Sequence, residues 1–314
     1  MDLPVIDLQA PNLSALDEAL RRCGSFMLLG HGLSPAFTRD VLQHCREFFA
    51  QSSLEKNKIR RTAENAWGYF DAELTKNRKD WKEIIDIGPA VKTGPLGGSA
   101  PQWPSLAGFR ETLEPLSDAM HAIAVTLVEQ IAKALESNAD LMSPFADHSS
   151  FLRLNYYPVC ADPAPADAPL TPTRGKLGIS HHTDSGALTV LLADAQPGLQ
   201  FYHEQRWQTV IPQPGALIIN TGDIAQVWSN DRYPAPLHRV LANAHHERFS
   251  LPYFLNPAYD YNYAPLPDGL PARTPARYTS INWGEFRSLR SAGDYADHGA
   301  EVQISDYAVA SNDA

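Results

Sequence analysis

Cysteine is scarce in this chain, long apolar runs are missing, and positive charge is outnumbered; each shortage removes a class of protein. The three cysteines, Cys23, Cys45 and Cys160, include no CxxC pair, which argues against a disulfide framework or a cysteine zinc site and fits a reducing, cytoplasmic setting. No stretch is apolar for the roughly 20 residues that crossing a bilayer takes, so no membrane partner is expected. Lys and Arg number 26 against 36 Asp and Glu, a formal net charge of -10. Phosphate contacts need clustered cations, so nucleic acid is not an expected partner either. The opening Met-Asp-Leu-Pro-Val-Ile-Asp lacks the basic segment and apolar stretch of a secretory signal and reads as mature structure. What is present, 44% hydrophobic and 20% charged residues over 314 positions, is the composition of a water-soluble globular protein with chain enough for a sizeable core.

The pattern changes character midway. Residues 12–23 have helical spacing and stop at Gly24, a common residue just past a helix end. A strand-like run follows at 25–29, then a second helix from Ser34 to Phe49 with Val41, Cys45, Phe48 and Phe49 on one face. Residues 65–107 are rich in Gly, Pro, Trp and charge and read as irregular, with a short strand at 83–87. From 109 to 137 apolar residues recur at Leu113, Leu116, Met120, Ile123, Leu127, Ile131 and Leu135, the stripe of a long amphipathic helix. Beyond 150 come short β-rich runs at 151–157, 177–180, 188–192, 199–202, 208–211, 216–220 and 248–254, separated by turn residues. Many short strands after a helical half predict a mainly β fold with flanking helices, a sandwich or jelly roll rather than a parallel α/β sheet. The stretch 160–173 reads as an exposed loop, and no internal repeat is found. The whole chain is read as one catalytic domain: a mostly helical part (1–150) packed on a β core (151–256), then a C-terminal segment (257–314).

In His181-His182-Thr183-Asp184 an extended backbone would place His182 and Asp184 on one face and turn His181 and Thr183 away. His238, 56 residues after His182 (238 − 182 = 56), lies in the same β-rich half, where antiparallel folding could bring it alongside. Two histidines and one carboxylate make the facial triad of non-haem Fe(II) oxygenases, which leaves three coordination positions open. The surrounding alternative for any one of these histidines is a hydrogen-bonded core or surface residue. In Arg248-Phe249-Ser250 the same alternation puts a guanidinium and a hydroxyl on one face, a pair suited to a carboxylate; a strand-edge Arg paired with a nearby acid is the plainer reading of that tripeptide alone.

The chain resembles the isopenicillin N synthase-like family of Fe(II) and 2-oxoglutarate-dependent dioxygenases over nearly its full length, from about 3 to 307. The resemblance is carried, in order, by Leu3-Pro4-Val5-Ile6-Asp7, His31-Gly32, Asn155-Tyr156-Tyr157-Pro158, His182-Thr183-Asp184, Leu188-Thr189-Val190-Leu191, Gly198-Leu199-Gln200, Asn220-Thr221-Gly222-Asp223, Trp228-Ser229-Asn230, His238-Arg239-Val240 and Arg248-Phe249-Ser250. It implies a double-stranded β-helix (jelly roll, cupin-like) core, Fe(II) held by His182, Asp184 and His238, and 2-oxoglutarate held at its distal carboxylate by Arg248 and Ser250, with Asn155 and Tyr157 close by. It implies O2 as the oxidant, succinate and CO2 as co-products, and oxidation of a C–H bond of a small-molecule metabolite. His181 departs from the small residue usual before the HxD pair and is read as a neighbour, near the substrate entrance or in packing. Gly222 is assigned to a turn, His245 and His246 to a solvated loop. Trp67, Tyr69, Trp81 and Glu83 are given packing roles with a second option of substrate contact. Two other functions stay open at this point: an oxidase of the same family that dispenses with 2-oxoglutarate, and an inactive jelly-roll binding protein. The substrate and the oligomeric state are not set by the sequence.

Overall fold

A computed structural model describes residues 1–62, 64–90, 100–268, 274–293 and 296–309. Residues 91–99, part of the stretch expected to be irregular, lie outside the described residues. After β1 (Val5–Asp7), helix α1 (Leu13–Cys23) starts where the Asn12 side chain accepts the Ala15 amide and stops at Gly24, whose φ is 63°. A Cβ on Gly24 would also fall 2.1 Å from the Pro234 carbonyl oxygen, so both backbone geometry and space demand glycine there. Strand β2 (Ser25–Leu29) leads to α2 (Pro35–Phe49), capped by the Ser34 hydroxyl with Pro35 in its first turn. Then come α3 (Ser53–Lys56), β3 (Gly68–Phe70), the hairpin β4 (Leu74–Thr75) and β5 (Arg78–Lys79), and β6 (Glu83–Ile87). Helix α4 (Phe109–Ala134) has the expected apolar stripe buried but ends before 137, where Glu136 turns to φ 55°.

The β-rich half consists of β7 (Phe151–Tyr157), β8 (Leu177–His182), β9 (Leu188–Ala193), β10 (Leu199–His203), β11 (Arg206–Thr209), β12 (Leu217–Thr221), the short α5 (Asp223–Trp228), β13 (His238–Leu241) and β14 (Arg248–Leu255). An eight-stranded sheet runs β1-β2-β12-β9-β14-β7-β6-β3, and a four-stranded sheet runs β11-β10-β13-β8. Together they form the expected jelly roll, with α4 packed on the outer side of β9 and β14. The first 150 residues do more than supply helices: β1, β2, β3 and β6 extend the larger sheet on both flanks, so edges of the barrel core are paired rather than left open. A C-terminal helix α6 (Trp283–Ala292) was not anticipated.

Alternation along the strands divides two interiors. On β14, Phe249, Leu251, Tyr253 and Leu255 enter the helix-side core, whereas Arg248, Ser250, Pro252 and Phe254 line a cavity between the sheets. On β7 the cavity row is Phe151, Arg153, Asn155 and Tyr157. Each fully buried Leu or Phe on the helix side contributes about 1.5–3 kcal/mol. The loop 160–173 is mostly exposed, as expected, but it is pinned to the barrel. The fully buried Arg239 guanidinium donates to the carbonyls of Ala166, Ala168 and Pro169, each at 3.0 Å, and Ala164 and Ala168 are buried against it and the Lys176 backbone.

One feature of the outer layer is sensitive to acid. His121 on α4 bonds the Tyr253 hydroxyl at 2.8 Å, and the His148 ring stacks on His121 with centroids 4.3 Å apart. Burial, with the neighbouring His121, pushes His148 down to about 4 against the opposing Asp147 carboxylate. The folded state therefore keeps His148 neutral while the unfolded chain takes a proton below about 6.5, so stability falls as pH drops from about 6.5 towards 4. In His148→Gln, unfolding midpoints measured across that window are expected to fall less steeply than in the native protein; parallel curves would contradict this origin.

Candidate functional site

Three side chains converge at one end of the cavity. Asp184 Oδ1 lies 3.8 Å from His182 Nε2 and 3.6 Å from His238 Nε2, and one ligand atom from each residue falls within 4.8 Å of the others. Each imidazole is oriented through its far nitrogen: His182 Nδ1 bonds the Ser180 carbonyl at 2.8 Å and His238 Nδ1 the Pro236 carbonyl at 3.0 Å. With the proton on Nδ1, both Nε2 lone pairs face Asp184 and the space beside it. Burial and the adjacent His238 push His182 down to about 3, which keeps it an unprotonated donor. Burial alone would raise Asp184, but the two imidazoles and hydrogen bonds from Asn220 and Thr189 hold it below the usual carboxylate range. Asn220 Nδ2 at 2.8 Å and Thr189 Oγ1 both donate to Oδ2, leaving Oδ1 for a cation. Two neutral imidazole nitrogens and one carboxylate oxygen fit a ferrous ion with open coordination positions.

The route to this convergence differs from simple alternation. Strand β8 ends at His182, and Asp184 lies in the loop beyond it. Between Val240↔Ile179 and His238↔His182 the pairing shifts, so three steps on β8 oppose two on β13. Ile179 lines the cavity, and unbroken alternation would have aimed His181 inward; the bulge turns His182 in instead. His181 does not line the cavity. It is half-buried, and burial with Lys76 nearby lowers its pKa. Gly222 also has a different reason from the expected turn. Its φ of −111° is open to any residue, but a Cβ would sit 2.2 Å from the Gly186 carbonyl oxygen and 2.8 Å from that of Asp184. Only a bare backbone lets α5 begin against the loop that carries Asp184.

Further along the cavity Arg248, Ser250, Tyr157 and Asn155 stand together as anticipated. Tyr157 Oη lies 3.3 Å and Asn155 Nδ2 3.4 Å from Ser250 Oγ. Arg248 is buried, its Nε donates to the Gln196 carbonyl at 3.2 Å, and its Cζ stands 5.0 Å from the Tyr157 ring centroid. Its Nη1 has no hydrogen-bond partner among the described residues. A buried guanidinium nitrogen without an acceptor is costly unless a ligand supplies one.

Trp67, Tyr69, Trp81 and Glu83 stay out of the cavity: the indoles donate to the carbonyls of Pro89 and Pro158, and Tyr69 donates to Glu83. His245 and His246 lie in an exposed loop. The irregular region instead sends in Glu73, Thr75 and Lys82, part of a buried charge network. Lys82 pairs with Glu73 at 2.7 Å and Asp80 at 3.0 Å, and Arg153 pairs with Glu73 at 2.9 Å and Asp86 at 2.7 Å. The C-terminal segment adds Trp283, Arg287, Arg290 and Glu301. The only hint in the sequence was the density of charge from 71 to 83, next to a strand. The cavity measures about 150 Å³.

Comparison with known proteins gives a consistent picture. Residues 148–257 match the 2OG-Fe(II) oxygenase superfamily, and residues 3–106 match the N-terminal family described as non-haem dioxygenase in morphine synthesis. The chain is 31% identical to gibberellin 20 oxidase 2 of Oryza sativa subsp. indica, across 91% of this chain and 75% of that one. It is 30% identical to flavanone 3-dioxygenase 2 of Oryza sativa subsp. japonica, across 90% and 82%. In three dimensions it is similar to JOX2 in complex with 2OG, Fe and JA, with a TM-score of 0.81 at 26% identity, across 98% of this chain and 90% of that one.

Proposed function

Because the chain belongs to the 2OG-Fe(II) oxygenase superfamily, we propose that His182, Asp184 and His238 hold its ferrous ion and that Arg248 and Ser250 hold the distal carboxylate of its 2-oxoglutarate. The protein is an Fe(II)- and 2-oxoglutarate-dependent dioxygenase that acts on a small molecule, and hydroxylation of a C–H bond is the outcome we assign. When bound, the iron supplies the redox chemistry that couples O2 and the conversion of 2-oxoglutarate to succinate and CO2 to substrate oxidation. The rest falls to the side chains. His182 and His238 present fixed Nε2 donors, and Asn220 and Thr189 keep Asp184 ionised and aimed. Arg248 offers its planar fork to the far carboxylate, with the Ser250 hydroxyl beside it and Tyr157 and Asn155 holding that hydroxyl. The cavity walls limit water around the reacting groups.

The observation that carries the co-substrate assignment is the unpartnered, buried Arg248 Nη1 in the same cavity as the triad. Hydrogen bonds to a charged partner contribute about 1.5–3 kcal/mol. Arg248→Ala is therefore expected to weaken 2-oxoglutarate binding roughly tenfold to a hundredfold while iron binding stays intact; unchanged co-substrate affinity would remove Arg248 from this role. Succinate release that requires both O2 and added 2-oxoglutarate tests the activity itself, and an oxidase without the co-substrate would release none. We also assign a cytoplasmic location, supported by three buried, unpaired thiols; among the described residues no helix is long and apolar enough to cross a membrane. A net charge of -10 weighs against nucleic acid as a substrate.

A further inference from the structure

The charges lining the cavity do not cancel. Glu73 is engaged by Lys82 and Arg153, and Glu301 by Lys76 and, at 3.9 Å, Arg290. Arg290 is further tied to the carbonyls of Thr183 and Val302. Asp184 faces the two histidines. Among the described residues this leaves two cavity arginines without an ion pair, Arg248 and Arg287. Arg287, half-buried on α6, makes no hydrogen bond to the described residues; its Cζ rests 5.9 Å from the ring centroid of Phe151.

The two arginines cannot share one ligand group. Phe151 packs on Phe254 with centroids 4.9 Å apart, and Phe254 is six residues beyond Arg248 in the cavity-facing row of β14 (254 − 248 = 6), about 20 Å at the rise of an antiparallel strand. Arg287 therefore stands at the aromatic end of the cavity, remote from the co-substrate end. Phe151, Phe254 and Trp283 give that end an apolar wall.

We propose that the primary substrate is a small organic anion, a carboxylate attached to an apolar, ring-bearing body, with Arg287 meeting the carboxylate and Phe151, Phe254 and Trp283 packing the body. This rests on the dioxygenase reading and names its substrate class. An arginine fork matches a carboxylate in geometry and charge, and a net cation in a cavity of low dielectric selects against neutral and cationic analogues.

The test pairs acids with their neutral amides: 1-naphthaleneacetic acid with 1-naphthaleneacetamide, and cyclohexylacetic acid with its amide. Binding is measured calorimetrically on the full chain loaded with Fe(II) and 2-oxoglutarate without O2. The native protein is expected to bind at least one acid roughly ten- to a hundredfold more tightly than its amide. Arg287→Gln should reduce that preference to about twofold or less, and the charge-retaining Arg287→Lys should keep part of it, which separates lost charge from lost fold. A panel in which no acid outbinds its amide, whether or not either binds, overturns the assignment, as does a preference that survives in Arg287→Gln. Succinate formation from Fe(II), 2-oxoglutarate and O2 without primary substrate is followed in parallel. If it occurs while the acid preference is absent, the anion assignment alone falls; if it does not occur, the dioxygenase reading falls and the assignment with it.

Discussion

Asp184→Ala is expected to leave a folded protein that neither retains iron nor releases succinate. Its Oδ1 is the carboxylate oxygen within 3.6–3.8 Å of both histidine Nε2 atoms, and without it a ferrous ion loses the third ligand and the one negative charge of its triad. The fold should survive because the outer core, from α1, α2 and α4 to the far side of β9 and β14, does not include this residue. The cost to stability is that of leaving the Asn220 amide and the Thr189 hydroxyl without their acceptor, about 1–3 kcal/mol each at most. The two donors supply a graded comparison. Outer partners of metal ligands typically influence affinity 10- to 100-fold, so Asn220→Ala should weaken iron binding within that range and Asp184→Ala by more. Near-native succinate release from Asp184→Ala would sink the assignment of the triad. Equal effects of the two substitutions would instead mean that Asp184 acts by orienting a neighbour.

What could be read from the chain beforehand was whatever depends on local periodicity and local hydrogen bonding. The helical starts at 12 and 34, the stop at Gly24, the bounds of β6 and β7 and the two-residue spacing of Arg248 and Ser250 each follow from a few consecutive residues. The triad could be listed, but the way it assembles could not. The bulge that exchanges His181 for His182 depends on how β8 registers against β13, 56 positions away (238 − 182 = 56), and the need for Gly222 depends on the backbone of Gly186 arriving next to it. The same holds for the hold of Arg239 on the loop 160–173 and for the half of the larger sheet contributed by the first 150 residues. Resemblance named the candidate ligands, whereas the cavity-lining residues Lys82, Arg287 and Glu301 became visible only when distant segments were seen together.

The buried charge network beside the site should show the largest effect on stability. Lys82 is held between two buried carboxylates, Glu73 at 2.7 Å and Asp80 at 3.0 Å, with side-chain exposures of 2%, 4% and 1%. Removing one partner from such a set strands the others, which typically costs about 3–5 kcal/mol. The burden in Lys82→Met falls on Asp80, because Glu73 keeps Arg153 at 2.9 Å. Among the described residues the Asp80 carboxylate then retains the Thr75 hydroxyl at 2.8 Å and the Ser180 amide at 3.2 Å, and burial already raises its pKa in the native protein. Without Lys82 it should rise further, so that lowering the pH from 8 to 5 restores part of the lost stability by protonating Asp80. Asp80→Asn in the Lys82→Met background should likewise recover much of the loss, a coupling that chemical denaturation of the four proteins of the cycle would measure. Because the Asp80 carboxylate also holds the Ser180 amide, within the bulge that aims His182, iron affinity should decline in Lys82→Met and recover with stability in the double variant. Additive losses, with no dependence on pH, would mean that Lys82 contributes packing alone and that the network does not brace the metal centre.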